Sequence, residues 1–237
     1  IDGQAVEVLV TSPSWMTWDP VLQRLSGTAG WNNIRPANVE VRANDGIDTT
    51  TQAFTVDVRL GEIDCFATFP APASSPYILP WKVGETHEVW IDHCPPAPFT
   101  NHQNWFAWDF RMLMRDTVVA ARAGTVTTVV EHFPDGTRTS GEENLIYVRH
   151  VDGSMGFYVH FTQNGALVQV GDVVAQGEPI GLAGDSGGSA GPHLHFVVFR
   201  AGGFTRQYSM PISYSNLSGP LDGNGALVLG AFYTALP

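Results

Sequence analysis

Apolar side chains in this chain recur at every second position in short runs, and almost nowhere at the spacing of a helix. "VEVLV" (6–10), "ANVEVRA" (37–43), "AFTVDVRL" (53–60), "NLIYVRH" (144–150), "GFYVHF" (156–161) and "HLHFVVF" (193–199) are of this kind, separated by clusters of Gly, Pro, Asn, Asp, Ser and Thr. An alternating run buries one face of a strand, and its backbone groups are satisfied only by lateral pairing. The spacing therefore predicts an all-β protein built of antiparallel sheets. Aromatic residues make up 11% of the chain, seven of them tryptophan, in keeping with that class. One weak exception, "VLQRL" (21–25), reads as a turn of helix.

With 237 residues and 43% hydrophobic content the chain can build a real core, and no apolar run reaches the length of a membrane span. The net charge is −11, from 23 acidic and 12 basic residues, with no basic run to bind nucleic acid or anionic lipid. The first residue is isoleucine, so the sequence reads as a processed or trimmed chain. Residues 1–60 alternate and turn like a small β-sandwich. Within them, Pro13-Ser14-Trp15 leads to Trp18-Asp19-Pro20, then Leu25-Ser26-Gly27-Thr28, then Val39-x-Val41 before Asn44-Asp45-Gly46. This series resembles the cadherin-like, dystroglycan-type immunoglobulin-fold modules of bacterial surface and secreted proteins, in truncated form. "FATFPAPASSPYILP" (66–80) reads as a linker or an extended wrap. The organisation expected is a module over 1–60, a linker over 61–78 and a second, antiparallel-sheet domain over 79–237.

Candidate chemistry lies in three of the later strands. In "GPHLHFVVF" (191–199), His193, His195 and Val197 share one face, and Leu194, Phe196 and Val198 share the other, which reads as core. Two imidazoles on one face suit a metal site or an acid–base pair, although a bare His-x-His is more often a solvated strand face. In "NHQNWFAWDF" (101–110), which also contains His102, Phe106, Trp108 and Phe110 take one face and leave Ala107 and Asp109 on the other. In "GFYVHF", Phe157, Val159 and Phe161 read as the core face, so that Tyr158 and His160 point away from it. His87, His93 and His132 read as surface residues, and His150 as a hydrogen-bonded histidine at the core edge.

"H-x6-D-F" from His102, "AARAGTV" (120–126), "NLIYVRH", "YVHF" and the run from "VQVGDVV" to "PHLHF" closely resemble, in order and spacing, the lysostaphin-type zinc endopeptidases that cut bacterial peptidoglycan. The resemblance runs from about Leu79 to Ala235. It implies one zinc per chain held by His102, Asp109 and His195, with His160 and His193 as catalytic histidines that do not bind metal. Two imidazoles, one carboxylate and a water form the open tetrahedron of catalytic zinc. Asn144 matches a family position near the cleft, as a contact to substrate or to the residues around the metal. A strand-start asparagine capping a turn is the plain alternative. Cysteine counting leaves open whether Cys65 and Cys94 are bonded or are two separate buried thiols. Because the resembling enzymes act outside the cytoplasm, the resemblance favours the Cys65–Cys94 disulfide. The sequence departs from the family at "RMLMRDT" (111–117), which replaces a Gly-containing turn, at Phe161 in place of leucine, and in "GDSGGSAG" (184–191), which lacks a common aromatic.

The resemblance thus implies a secreted zinc endopeptidase, extracellular or periplasmic and monomeric, acting on peptidoglycan cross-bridges or glycine-rich peptides. One alternative is a non-catalytic zinc-binding relative serving as a scaffold or as a cell-wall-binding or regulatory protein. Such relatives typically lose a ligand or a catalytic histidine, and all five positions are filled here. "VQVGDVVAQGEPIG" (168–181) also resembles the hairpins of lipoyl and biotinyl carriers, which need a lysine at a hairpin tip. The only lysine is Lys82, so the carrier reading fails.

Overall fold

A computed structural model of the chain describes residues 6–27, 36–57, 67–93, 106–204 and 208–237. His102, Cys65 and Cys94 lie outside the described residues. The chain divides into two compact units, residues 1–62 and 63–237. Among the described residues there is no α-helix, and no helix long and apolar enough to cross a membrane.

The first unit has strands β1 (Glu7–Thr11), β2 (Met16–Asp19), β3 (Arg24–Gly27), β4 (Pro36–Asn44) and β5 (Thr49–Asp57). β1, β4 and β5 form an antiparallel sheet in that order, and β2 and β3 form a hairpin. Alternation places Ala37 and Val39 on the buried face of β4. The β4–β5 connection is made by Asp45, whose Oδ1 accepts from the Ile47 and Asp48 N–H groups at 2.9 and 2.8 Å. The helical turn expected at "VLQRL" does not form. Asp19 Oδ1 accepts from the Val21 and Leu22 N–H groups at 2.9 Å each, which closes a tight turn, and Arg24 and Leu25 then enter β3.

The second unit contains β6 (Thr86–Ile91), β7 (Ala107–Arg111), β8 (Thr117–Val119), β9 (Gly124–Val130), β10 (Leu145–Arg149), β11 (Met155–Val159) and β12 (Phe161–Ala166). These are followed by β13 (Val173–Val174), β14 (Pro179–Ala183), β15 (His193–Phe199), β16 (Leu217–Ser218) and β17 (Phe232–Ala235). Nine of them make one antiparallel sheet in the order β13-β9-β10-β11-β15-β7-β6-β17-β16, and β12-β14-β8 make a second. At the centre of the large sheet Phe196 lies opposite Trp108 on one side and Tyr158 on the other, and Leu194 lies opposite Phe110. All five are buried and form the core face, as the alternation of β15 and β7 predicts. Burying each large apolar side chain contributes about 2–3 kcal/mol. Tyr158 buries its hydroxyl as well, which accepts from the Ala121 N–H at 2.9 Å.

The Pro-, Ala- and Ser-rich stretch runs as an extended wrap on this unit. Phe69 and Tyr77 are buried, with Phe69 5.7 Å from the Phe106 ring and 5.9 Å from that of Trp108. Backbone bonds from Ile78 N to Ala121 O and from Val119 N to Pro80 O pin it down. The wrap also explains why His93 is buried rather than at the surface. Its ring lies 4.8 Å from Phe69 and 5.0 Å from Trp108, and it stacks on Phe106. His87 is half-buried against Trp81, His132 is exposed, and His150 is buried with Nδ1 3.0 Å from the Ala123 carbonyl.

Candidate metal centre and active site

The site forms on the opposite face of the same three central strands. β15 is flanked by β7 and β11, and the register sets His195 directly across from Asp109 and from Val159. His195 Nδ1 and Asp109 Oδ1 are 2.8 Å apart. The second carboxylate oxygen, Oδ2, is 3.7 Å from His193 Nε2. Asp109 and His193 are buried and His195 is half-buried. A carboxylate at that depth costs several kcal/mol unless positive charge or donors surround it.

His160 reaches this face by a different route from the one alternation predicts. In β11 the parity is reversed: Tyr158 lies opposite Phe196 on the core face, while Phe157 and Val159 share the face of His195. Strict alternation would therefore send His160 into the core after Tyr158. Instead His160 leaves the strand with a left-handed backbone, φ +69°, and its ring comes 4.4 Å from that of His193 and 6.2 Å from that of His195. Such a conformation is strained for a non-glycine residue and is characteristic of functional sites. It is held by the His160 N–H donating to Asn144 O at 2.9 Å and by Nδ1 at 2.7 Å from Ser186 O.

These contacts also settle the tautomers. A carbonyl only accepts, so Nδ1 of His160 carries a proton donated to Ser186 O, and Nδ1 of His193 carries one donated to Gly191 O at 2.8 Å. Each ring thus commits Nδ1 to a backbone carbonyl and leaves Nε2 for other partners. Burial, reinforced by the neighbouring His193 and His195 rings, pushes the His160 imidazole down to about 3, against the opposing pull of the Ser186 carbonyl and Asp109. His160 is therefore a neutral base at any ordinary working pH.

Asn144 is wholly buried at the start of β10. Its Oδ1 accepts from Phe133 N at 2.9 Å, and its Nδ2 donates to Phe133 O at 2.8 Å and to Phe161 O at 3.1 Å. It thus ties the segment after β9 to the His160 turn. In the departing segment "RMLMRDT", Arg115 takes the left-handed conformation, φ +70°, that a glycine would otherwise supply.

Two groups around the site carry no local signal that sequence reasoning could use. Trp90 sits where the β6–β7 register shifts between Val89 and Ile91, a bulge that aims its ring edge-on at His193, 5.3 Å away. The Arg111 guanidinium lies over the same indole at 4.5 Å. On the other side, Tyr147 and Phe157 stack at 4.4 Å and extend the floor beyond His195. The loop 184–191 was visible only as a Gly- and Ser-rich run, yet it supplies both carbonyls that orient the histidines.

The donor chemistry fits zinc. A carboxylate oxygen and an imidazole nitrogen converge within 2.8 Å on the face of the sheet opposite the core, and oxygen and nitrogen are the donors that catalytic zinc uses. Among the described residues no three such groups make a complete metal cluster, and the expected third ligand, His102, lies outside them.

A paired carboxylate and imidazole, two further imidazoles oriented by backbone carbonyls and an antiparallel-sheet floor make up the candidate site. Residues 103–207 match the sequence profile of peptidase family M23. Over 94 residues it is 31% identical to the peptidoglycan DD-endopeptidase ShyA of Vibrio cholerae, covering 40% of this chain and 20% of that protein. Over 58 residues it is 41% identical to the murein hydrolase activator EnvC of Escherichia coli, covering 24% and 13%. The chain spans no more than about a fifth of the length of the curated relatives it matches. Among solved structures, the catalytic domain of lysostaphin from Staphylococcus simulans aligns with 55% of this chain and 88% of its own, at 26% identity and a TM-score of 0.39.

Proposed function

We propose that this chain is a secreted zinc endopeptidase, active outside the cytoplasm, that hydrolyses peptide bonds in peptidoglycan cross-bridges or glycine-rich peptides. The observation that carries the reading is the pair of imidazoles, each with Nδ1 committed to a backbone carbonyl, beside a converging carboxylate and imidazole. His102, Asp109 and His195 would hold the metal. When bound, zinc supplies a Lewis acid for a peptide carbonyl and brings the pKa of a bound water towards neutrality.

The chain's own groups divide the remaining work. Nε2 of His160 or His193 accepts a proton from the attacking water and returns it to the leaving amine. The other imidazole, its Nδ1–H already committed to a backbone carbonyl, can donate to the charge that develops on the former carbonyl oxygen only in the form that carries a proton on Nε2 as well. Their separation, with ring centroids 4.4 Å apart, lets both reach one tetrahedral centre. Trp90 walls the cleft beside His193, and the Tyr147–Phe157 stack floors it beyond His195. The first unit contributes none of the proposed ligands, and we assign it to targeting or spacing, or to the remnant of a propeptide, in line with the resemblance of its sequence to immunoglobulin-fold modules.

The test is digestion of purified walls of several cross-bridge types and of a soluble glycine-rich peptide, with new amino termini identified by mass spectrometry. Chelation should abolish cleavage and added zinc should restore it. Zinc-loaded protein that produces no new termini from any of these substrates would refute the reading.

A further inference from the structure

Segment 135–143, between β9 and β10, closes on loop 184–191, which carries both carbonyls that accept from Nδ1 of His160 and His193. Asp135 Oδ1 accepts from the Asp185 N–H at 2.8 Å, and the Gly136 N–H donates to Asp185 O at 2.8 Å. Arg138 Nη1 donates both to Asp185 Oδ1 and to Ser189 O, at 2.6 Å each. Ser189 Oγ in turn lies 3.2 Å from His193 Nδ1 and donates to Gly191 O at 2.8 Å, the same carbonyl that takes the His193 proton. A continuous path of polar contacts thus runs from Arg138 through Ser189 and Gly191 to His193. Arg138 itself sits at φ +59°, a left-handed conformation that a bulky side chain adopts only when its surroundings hold it there. Both of its bonds are short and charge-assisted, the strong class of hydrogen bond.

We propose that Arg138 is a positioning residue for His193. By bridging Asp185 and Ser189 it fixes the turn that places the Gly191 carbonyl against Nδ1, and so holds the ring with its proton on Nδ1 and Nε2 turned away from the turn. Arg138 does not touch the reacting atoms. Without the bridge, the 184–191 turn relaxes and the Gly191 carbonyl no longer selects one tautomer. The effect on turnover rests on the peptidase reading, whereas the effect on the tautomer does not.

The experiment compares wild type, Arg138→Ala, Arg138→Lys and Asp185→Asn. Nitrogen-15 NMR of the histidine rings in metal-free protein reads the tautomer. The wild type should show a single Nδ1–H form for His193, and Arg138→Ala a mixture of tautomers. In zinc-loaded protein, Arg138→Ala should lower kcat by about ten- to a hundredfold with KM changed by less than about twofold, because orientation is lost while substrate binding is kept. Arg138→Lys, which retains the charge and one bond, should recover part of the loss. Circular dichroism and zinc content check that each variant is folded and loaded. Should Arg138→Ala not fold, Asp185→Asn removes the charged acceptor at constant shape and supplies the same two measurements. An unchanged Nδ1–H form in the folded variant overturns the proposal, as does a kcat within about twofold of wild type. If the wild type cleaves no peptide, the peptidase reading fails by itself and the tautomer measurement alone decides the role of Arg138.

Discussion

Replacing Asn144 separates its two possible roles. Asn144→Ala removes three side-chain hydrogen bonds, two to Phe133 and one to Phe161. The Phe161 carbonyl keeps a partner in Ser186 Oγ at 2.8 Å, so that acceptor is not orphaned. Phe133 is only half-buried, and water can recover part of what its backbone loses. At about 1 kcal/mol for each lost bond, the cost is about 3 kcal/mol. For a unit of this size that lowers Tm by roughly 6–12 °C. Asn144→Asp has the same shape but sets a carboxyl oxygen against the two carbonyls that now receive Nδ2–H. Burial and those carbonyls disfavour the ionised form, so the introduced group has a raised pKa in the folded state. Its penalty is therefore smallest at low pH and grows as pH rises through the carboxylate range. Thermal and urea melts of both variants between pH 4 and 8, with kcat and KM at the optimum, make the assay. A variant Asn144→Ala within about 0.5 kcal/mol of wild type but with a strongly raised KM would refute the scaffold argument and make Asn144 a substrate contact.

Three further outcomes are expected. His160→Ala and His193→Ala should each keep zinc by elemental analysis yet lose about 10²–10⁴ in kcat, whereas Asp109→Ala and His195→Ala should lose the metal. A zinc-free His193 variant would mean that ligand and base are exchanged within His-x-His. Away from the site, partial burial pushes the Asp152 carboxyl up, but hydrogen bonds from Ser154 and Arg122 outweigh it and hold the group down at about 2. Its stabilising effect is full above the ordinary carboxylate pKa and is lost as pH falls through about 2. Asp152→Asn should therefore lower the urea midpoint at pH 7, with the difference from wild type closing between about pH 4 and 2; a gap constant with pH would contradict this. Tyr158→Phe leaves the buried Ala121 N–H without its acceptor and should cost about 1–3 kcal/mol in chemical denaturation, and an unchanged midpoint would show that another acceptor takes over.

The local code of this chain is a period of two, and wherever a strand stays regular that code determines which side chains share a face. It gives the core face of β15 and β7, with Leu194, Phe196, Trp108 and Phe110, and the opposite face with Asp109, His193 and His195. Order and spacing of motifs along the chain marked the same residues as belonging to a hydrolytic zinc family. Period two fails where the backbone departs from the strand. From Phe157 to Phe161 hydropathy marks Phe157, Val159 and Phe161 as the core face, whereas the pairing of β11 with β15 puts Tyr158 there and turns Phe157 and Val159 to the face of His195. His160 reaches the cleft only through one left-handed residue, whose strain is offset by bonds to Asn144 and Ser186, distant in sequence. Trp90 reaches it only through a bulge whose existence depends on the pairing of β6 with β7. "VLQRL" turned on the Asp19 carboxylate rather than on its own apolar spacing. Hydrophobic alternation is a property of neighbours along the chain, and the sequence alone carries it. Register, bulges and strained φ angles are set by partners brought together from distant segments, and only the tertiary structure decides them.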